Sequence, residues 1–508
     1  MPSNQPPTGE EFLESLRDGR EVWIYGERVR DVTEHPAFAT SARQLARLYD
    51  ALHRPGAPTV PTDTGNGGFT HPFFRAPRTI DDLRDSAAAI AAWSRLTYGW
   101  MGRSPDYTAS ITATFGAGPE LFEPYQDNAL SWYRRTQEQV LHVGHCLTNP
   151  PVDRFLGRTG VEDVHLKVVR EADAGLVVDG AKVVATGAAL TNCNYIGTIS
   201  PIPADGAKFS ATFMVPSDAA GLKVLCRPSF EQSANLAGGP FYYPLSSRFD
   251  ENDTILVFDN VLVPWENVLS YDPGRTNRIV QESGLVQRGL MHGCIRLAVK
   301  FDFLCGLLLR GLKMTGGNEQ RGVQTRIGEL FGYRNLFWTC VNSMVNKPVA
   351  WPDGTLMPNP EACSAYQLMM TELYPRARKI FLQELGSSMT YTGSHAADWH
   401  TPEIRRYFDR FLRGTGQVPA EQRVKLMRMI WDAVGSEFAG RHEMYELNYS
   451  GNHEIVKLRT LQAAEQSGVA EQCEQLVEQC MADYDTSGWL EPSGELAALH
   501  SSPAPTFL

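Results

Sequence analysis

Arg103-Ser104-Pro105-Asp106-Tyr107 places a guanidinium, a capping hydroxyl, a proline and a phenol next to one another. Serine is a favoured helix N-cap and proline a favoured first helical residue. The spacing therefore predicts a helix that starts at Pro105, with Tyr107 in its first turn and Arg103 just outside. Free N–H groups, the positive end of the helix dipole and the guanidinium would then converge on one spot. Such a spot suits an anion, for example a phenolate. Taken alone, an Arg-x-x-x-Tyr spacing serves structural roles as well.

The rest of the sequence narrows the chemistry by exclusion. With 508 residues there is room for two or three domains with substantial cores. A net charge of −11 gives no basic excess with which to neutralise phosphates, so nucleic acid is not an expected partner. Arg134-Arg135 and Arg405-Arg406 read as solvated helix faces. The first eleven residues lack a basic segment followed by an apolar one, so no secretory signal is expected. The most apolar stretch, Phe301 to Leu309, contains Asp302 and is too short to span a membrane. A cytoplasmic location is expected. The nine cysteines include no CxxC, and Cys473 and Cys480 read as structural or free thiols. His142 and His145 could share a helix face, but without an HExxH or a carboxylate pattern no metal is expected. The absence of GxGxxG and GxxxxGK[ST] disfavours a Rossmann site and a P-loop.

Three regions must position these residues. Residues 1–150 read as helical, with a capping box at Thr79 to Asp82 and an apolar stripe of Leu83, Ala87, Ile90 and Trp93. A second helix is predicted from Pro124 to Val143. Residues 151–283 read as a β domain, with strands at His165–Glu171, Leu176–Thr186, Ala211–Pro216, Leu222–Cys226 and Thr254–Val263. Asp179-Gly180 is the dipeptide of a tight hairpin turn. Residues 284–487 read as a helical bundle with helices at Leu285–Met314, Val323–Val345, Ala362–Ser387, Ala420–Gly440 and Ile455–Tyr484. Residues 488–508 read as a loosely ordered tail. The fold class is α+β, mainly helical with a central β domain.

Several segments carry a resemblance. The opening Thr8 to Arg20, and Val29 to Phe38, resemble the start of the large oxygenase components of 4-hydroxyphenylacetate 3-monooxygenases. Tyr243 to Asp250 and Phe258 to Val268 are similar to that family's middle-domain signature, and Tyr449 to Glu454 to its late flavin loop. The resemblance implies an acyl-CoA dehydrogenase-like fold. It also implies a two-component flavin monooxygenase that takes FADH2 from a separate flavin reductase. With O2 this gives a C4a-hydroperoxyflavin, which hydroxylates a phenol ortho to its hydroxyl group. A homotetramer is implied too. An electrophilic oxygen attacks electron-rich carbon, so a base at the phenol and a cation beside it are the expected equipment.

The family's phenol contacts map onto Arg103, Tyr107 and His145, with His145 as base or hydrogen-bond partner and His142 its competitor. Its flavin contacts map onto Pro151, Val152, Asp153 and Arg154, onto Thr186 on a strand, and onto Ser450, Gly451, Asn452 and His453. Arg154 would pair with pyrophosphate. Thr198 would reach the substrate from a covering loop. Family members commonly have proline in a Tyr-Pro-Ser stretch where this chain has Tyr195-Ile196-Gly197, a departure that bears on the substrate. That substrate is a free phenol such as 4-hydroxyphenylacetate or a chlorophenol, or a tyrosine-derived unit on a carrier protein, in catabolism or in antibiotic biosynthesis. Three readings compete: an acyl-CoA dehydrogenase, a scaffold that kept the fold, and an iron–sulfur dehydratase of the same fold. The dehydratase needs cysteines where this chain has Arg103, Tyr107 and, seven residues after His292, Val299.

Overall fold

The computed structural model describes residues 4–490, except 154, 157, 352, 353, 450 and 452 and the side chains of 158 and 159. Two compact units divide between Leu447 and Asn448. In the first, Thr8 caps α1 (Gly9–Ser15) through a reciprocal capping box with Glu11. A short ribbon, β1 (Glu21–Ile24) and β2 (Glu27–Val29), leads to α2 (Ala39–Leu52), and a hairpin of β3 (Val60–Pro61) and β4 (Phe69–Thr70) follows. The capping box read at Thr79 and Asp82 is present and starts α3 (Ile80–Leu96), which buries Leu83, Ile90 and Trp93. Next come α4 (Ala109–Ala117) and α5 (Gln126–Gln139).

The helix expected to reach Val143 stops four residues earlier. Val140 adopts a left-handed conformation at φ 45° and closes α5. Release of the chain there lets β5 (Val143–Cys146) form as a strand. The other strands are β6 (Lys167–Ala172), β7 (Gly175–Val183), β8 (Cys193–Ile196), β9 (Thr212–Pro216), β10 (Leu222–Cys226), β11 (Thr254–Pro264) and β12 (Val268–Ser270). They form a six-stranded sheet, β2-β1-β10-β11-β7-β6, and a four-stranded sheet, β12-β9-β8-β5. The sheets thus recruit β1, β2 and β5 from before residue 151.

Asp179-Gly180 is not a turn: β7 runs through it, and Gly180 pairs with Phe258 of β11. Its glycine serves a close crossing instead. Gly180 has φ 119°, and a Cβ there would lie 2.5 Å from the His165 carbonyl oxygen. The hairpin is made two residues after β6 ends, where Ala172 faces Gly175. Short helices α6 (Phe230–Ala237), α7 (Gly239–Tyr242) and α8 (Pro273–Glu282) fill the connections. A core of Ile111, Phe115, Trp132, Val143, Tyr195 and Met214 joins α4 and α5 to the smaller sheet. Each fully buried aromatic of this kind contributes roughly 1.5–3 kcal/mol.

The third region is helical: α9 (Leu285–Thr315), α10 (Arg321–Asn346), the ribbon β13 (Val349–Ala350) and β14 (Leu356–Met357), α11 (Pro360–Leu385), α12 (Pro402–Phe411), α13 (Ala420–Val434) and α14 (Glu437–Asn448). Helices α9, α10, α11 and α13 pack together, and α3 and α4 lie against α9. The single helix expected over 420–440 breaks at Gly435-Ser436, where the Ser436 hydroxyl accepts from the Ala439 N–H and caps α14. The second unit holds α15 (His453–Gln466), α16 (Val469–Ala482) and a hairpin of β15 (Tyr484–Asp485) and β16 (Gly488–Trp489). The helix expected over 455–484 is therefore two, parted at Ser467-Gly468. Residues 491–508 of the expected tail lie outside the described residues. Among the described residues, no helix is long and apolar enough to cross a membrane.

Candidate active site

Arg103, Tyr107 and His145 come together, but not by the route expected. Helix α4 begins at Ala109, so Tyr107 lies in the turn before it. The reason is the Ser104 hydroxyl, which donates to Asp106 Oδ1 at 2.5 Å instead of accepting from a helical N–H. The helix-dipole contribution to an anion site is lost with that cap. The guanidinium remains. Arg103 Cζ stands 4.0 Å from the centroid of the Tyr107 ring, a cation–π stack. The Arg103 N–H donates to Glu251 Oε1 at 2.5 Å, and Nη1 donates to the Tyr445 hydroxyl at 2.6 Å.

His145 sits on β5, not on a helix, and its ring centroid is 5.2 Å from that of Tyr107. Parallel pairing with β8 sets His145 opposite Tyr195. Among the described residues its buried Nδ1 has no hydrogen-bond partner. Burial, and then the nearby Arg103 charge, hold its pKa well below the usual histidine value, so the ring is neutral. A neutral imidazole offers the lone pair that a phenol hydroxyl needs. The competitor, His142, is engaged elsewhere: its Nδ1 lies 2.9 Å from the Leu190 oxygen and its Nε2 3.1 Å from the Arg103 oxygen.

Further polar groups surround these three residues. Asp106, fully buried, faces His292 Nε2 of α9 at 3.3 Å and His71 Nε2 at 3.9 Å. The ring of His292 meets that of Tyr107 edge-on at 5.5 Å. Glu251 also faces Arg441 of α14, at 3.6 Å. These carboxylates are committed to the protein, which leaves neither as an obvious base for abstracting a proton from an acyl chain. No local sequence signal marks Glu251 or Tyr445, and His292 is marked only by the comparison with the iron–sulfur dehydratase. Asp106 lies inside the opening motif, where the spacing alone predicts only a residue of a helix start.

The flavin candidates are dispersed. Pro151, Val152 and Asp153 are exposed on the segment after β5, while Arg154 lies outside the described residues. Thr186 is not on a strand. It is buried in the turn after β7, and its hydroxyl donates to Asp253 Oδ1 at 2.6 Å. Asp253 in turn binds Arg227 and Arg441. Ser450 and Asn452 lie outside the described residues, and Gly451 and His453 belong to the second unit. Thr198 is buried just past β8, and its hydroxyl donates to the Ser200 oxygen at 3.3 Å.

The residues present fit a flavin on one structural ground. Between His145 and the exposed Pro151 stands Asn149, whose buried Oδ1 has no hydrogen-bond partner among the described residues. A buried acceptor without a donor is costly, and the N–H-bearing edge of a flavin ring would satisfy it. Two surface grooves of about 380 and 390 Å³ lie elsewhere, one beside Phe230 and Trp431 and the other beside Arg84 and Trp338. Neither is lined by Arg103, Tyr107 or His145.

Comparison with known proteins supplies the context. Residues 8–270 match the family described as 4-hydroxyphenylacetate 3-hydroxylase N terminal, and residues 276–478 match its C-terminal counterpart. The chain is 51% identical, over 96% of its length and 94% of the relative's, to the oxygenase component of a 4-nitrophenol 2-monooxygenase from Rhodococcus sp.. It is 50% identical to a (3S)-3-amino-3-(3-chloro-4-hydroxyphenyl)propanoyl-peptidyl-carrier protein SgcC2 monooxygenase from Streptomyces globisporus, over 98% of this chain and 94% of that one. Among solved structures, the oxygenase component of 4-hydroxyphenylacetate 3-monooxygenase in complex with FAD and 4-hydroxyphenylacetate superposes with a TM-score of 0.86. It is 28% identical and covers 94% of this chain and 99% of its own. The fold is acyl-CoA dehydrogenase-like, as the resemblance implied.

Proposed function

The chain belongs to the 4-hydroxyphenylacetate 3-hydroxylase family, and from that premise we propose that Arg103, Tyr107 and His145 hold a para-substituted phenol for hydroxylation beside its hydroxyl group. The protein is the oxygenase component of a flavin-dependent aromatic monooxygenase. As such a component it works with a separate reductase that supplies FADH2. One observation carries the placement: the Arg103 guanidinium stacks on the Tyr107 ring at 4.0 Å, and the neutral His145 imidazole packs 5.2 Å from the same ring.

Each residue has a distinct task in this reading. Arg103 stabilises negative charge on the substrate oxygen and so lowers the cost of drawing off its proton. His145 accepts that hydrogen. The neutral ring can do so because protonation beside Arg103 is unfavourable until an anion arrives to offset the guanidinium. Tyr107 stacks under Arg103 and presents its own hydroxyl. With the proton withdrawn, electron density rises at the ortho carbon. Reduced FAD, once bound, supplies the electrons that activate O2, so that one oxygen atom enters the ring and the other leaves as water. Thr186 and the segment from Asn149 to Asp153 would hold the cofactor, and Thr198 would close over the substrate.

The substrates named for the two relatives above share a phenol with a para substituent, one free and one on a carrier protein. That shared ring supports a para-substituted phenol here, whether free or tethered. A homotetrameric, cytoplasmic enzyme completes the reading. The test supplies FADH2 and a panel of such phenols, then measures catechol, O2 consumption and H2O2. Arg103→Ala and His145→Ala should keep consuming O2 while catechol falls at least tenfold and H2O2 rises. If O2 consumption collapses in step with catechol, these residues serve the cofactor and the placement fails.

A further inference from the structure

We infer that Tyr445 is a positioning residue for the reaction, fixing the Arg103 guanidinium against the phenol site; the inference rests on the placement of the phenol at Arg103 proposed above. Tyr445 lies on α14, 342 positions along the chain from Arg103, yet its hydroxyl accepts a hydrogen bond from Arg103 Nη1 at 2.6 Å. The same hydroxyl donates to the Gly102 carbonyl oxygen at 3.3 Å. Its ring lies 5.0 Å from Arg103 Cζ, so the guanidinium is in contact with two phenol rings, those of Tyr107 and Tyr445.

The Tyr445 ring is itself clamped. Arg296 and Arg441 each place Cζ 5.2 Å from its centroid. Arg296 is fixed by a bidentate pair with Glu446 at 2.7 and 2.6 Å, and Arg441 by Asp253 at 2.7 Å. The charged groups facing Tyr445 are therefore Arg103, Arg296, Arg441, Glu446 and, through Arg441, Glu251. Gly102 completes the device, because a Cβ there would fall 2.2 Å from the Tyr445 hydroxyl oxygen. The backbone gives way at this position so that the hydroxyl can reach Arg103. One arm of the guanidinium is spent on Tyr445, and that fixes where the rest of its charge points.

A hydrogen bond to a charged group is worth more than a neutral one, so its loss should be visible in ligand binding. The probe is 4-nitrophenol, whose yellow anion reports its own ionisation, titrated into the full flavin-free chain across a pH series. Wild type should bind the anion and lower the pH at which the bound probe turns yellow. Tyr445→Phe should weaken binding on the order of tenfold and move that transition back towards the free probe. Gly102→Ala, which displaces the hydroxyl from the other side, should do the same, and the double variant should add little. Melting curves identify any variant that fails to fold. If Tyr445→Phe does not fold, Gly102→Ala decides the matter.

Wild-type affinity and an unmoved transition in the folded variant would overturn the inference. Arg103→Ala separates the two levels of the argument. If it too binds like wild type, the phenol is not at Arg103 and the placement itself is wrong. If it loses binding while Tyr445→Phe keeps it, only the role of Tyr445 falls.

Discussion

The Thr186 hydroxyl donates to Asp253 Oδ1 at 2.6 Å, and the direction of that bond is forced. Burial alone would push the Asp253 carboxyl up, but the Arg441 and Arg227 charges outweigh it and hold the group far below the usual carboxylate range. An ionised carboxylate only accepts. The Thr186 proton is thus committed, and any further partner of its oxygen must donate. Reduced flavin carries a ring N–H that oxidised flavin lacks, so in the proposed flavin site Thr186 would suit the reduced form.

The first prediction follows from that geometry. Thr186→Val should lower affinity for FADH2 by roughly five- to tenfold, the worth of one hydrogen bond, and leave affinity for oxidised FAD nearly unchanged. Paired anaerobic and aerobic binding titrations measure both. Equal loss for the two redox states would show that Thr186 merely shapes the pocket.

The signals legible in the sequence were those that act within a few residues. The Thr79–Asp82 capping box is such a signal, and it starts α3 as read. Local reading misled where a distant group intervened. Ser104 fails to cap a helix because buried Asp106, itself facing His292, takes its hydroxyl. Gly180 looks like a turn residue, but it is glycine because the backbone at His165 crosses it. Strand β5 was read as the end of a helix, since its identity comes from pairing with β8. The site shows the same division. Arg103, Tyr107 and His145 were nameable through resemblance. Tyr445 was not, because only the packing of α14 brings it to Arg103.

Asp106→Asn should destabilise the protein by about 1–3 kcal/mol, the cost of leaving buried hydrogen-bonding groups unsatisfied. Burial disfavours the Asp106 charge, but His292, His71 and the Ser104 hydroxyl prevail and hold its pKa below the ordinary value. An amide cannot replace the charge that faces both imidazoles. Thermal or urea unfolding reads the loss directly. An unchanged midpoint would mean that the cluster contributes nothing net.

Acid should unfold the protein through its buried histidines. Burial pulls both His71 and His142 down to about 4, and lowers His145 and His442 as well. Below the unfolded value of 6.5 the unfolded chain takes up protons that the folded chain refuses. Stability is therefore fully present above that value and is lost as pH falls towards 4, by about 3 kcal/mol for each of the first two. Melting temperature plotted against pH should fall steeply below 6. A profile still flat at pH 4 would contradict this.

Glu446→Gln should be the most damaging single change beyond the phenol site. Glu446 is fully buried, paired twice with Arg296 and once with Lys300 at 3.0 Å. Burial works against its charge, yet these two cations bring it down to about 2, whereas burial lowers Lys300 to about 7 despite the carboxylate beside it. The asymmetry follows from the count: one anion is shared by two cations, and Arg296 holds both of its oxygens. Without the carboxylate, Arg296 is left as a buried charge with no counter-ion in this cluster, at a cost of about 3–5 kcal/mol. Lys300 can shed its proton, and without the carboxylate that holds its pKa up, its rise of stability with pH should begin below neutrality in Glu446→Gln, earlier than in the wild type. The strain would reach Arg103 too, because Arg296 braces the Tyr445 ring. Unfolding curves of the wild type and the variant at pH 7 and about 6 would measure both effects, and 4-nitrophenol binding at permissive temperature would follow the third. Loss of stability with phenol binding intact would confine the cluster to a structural role.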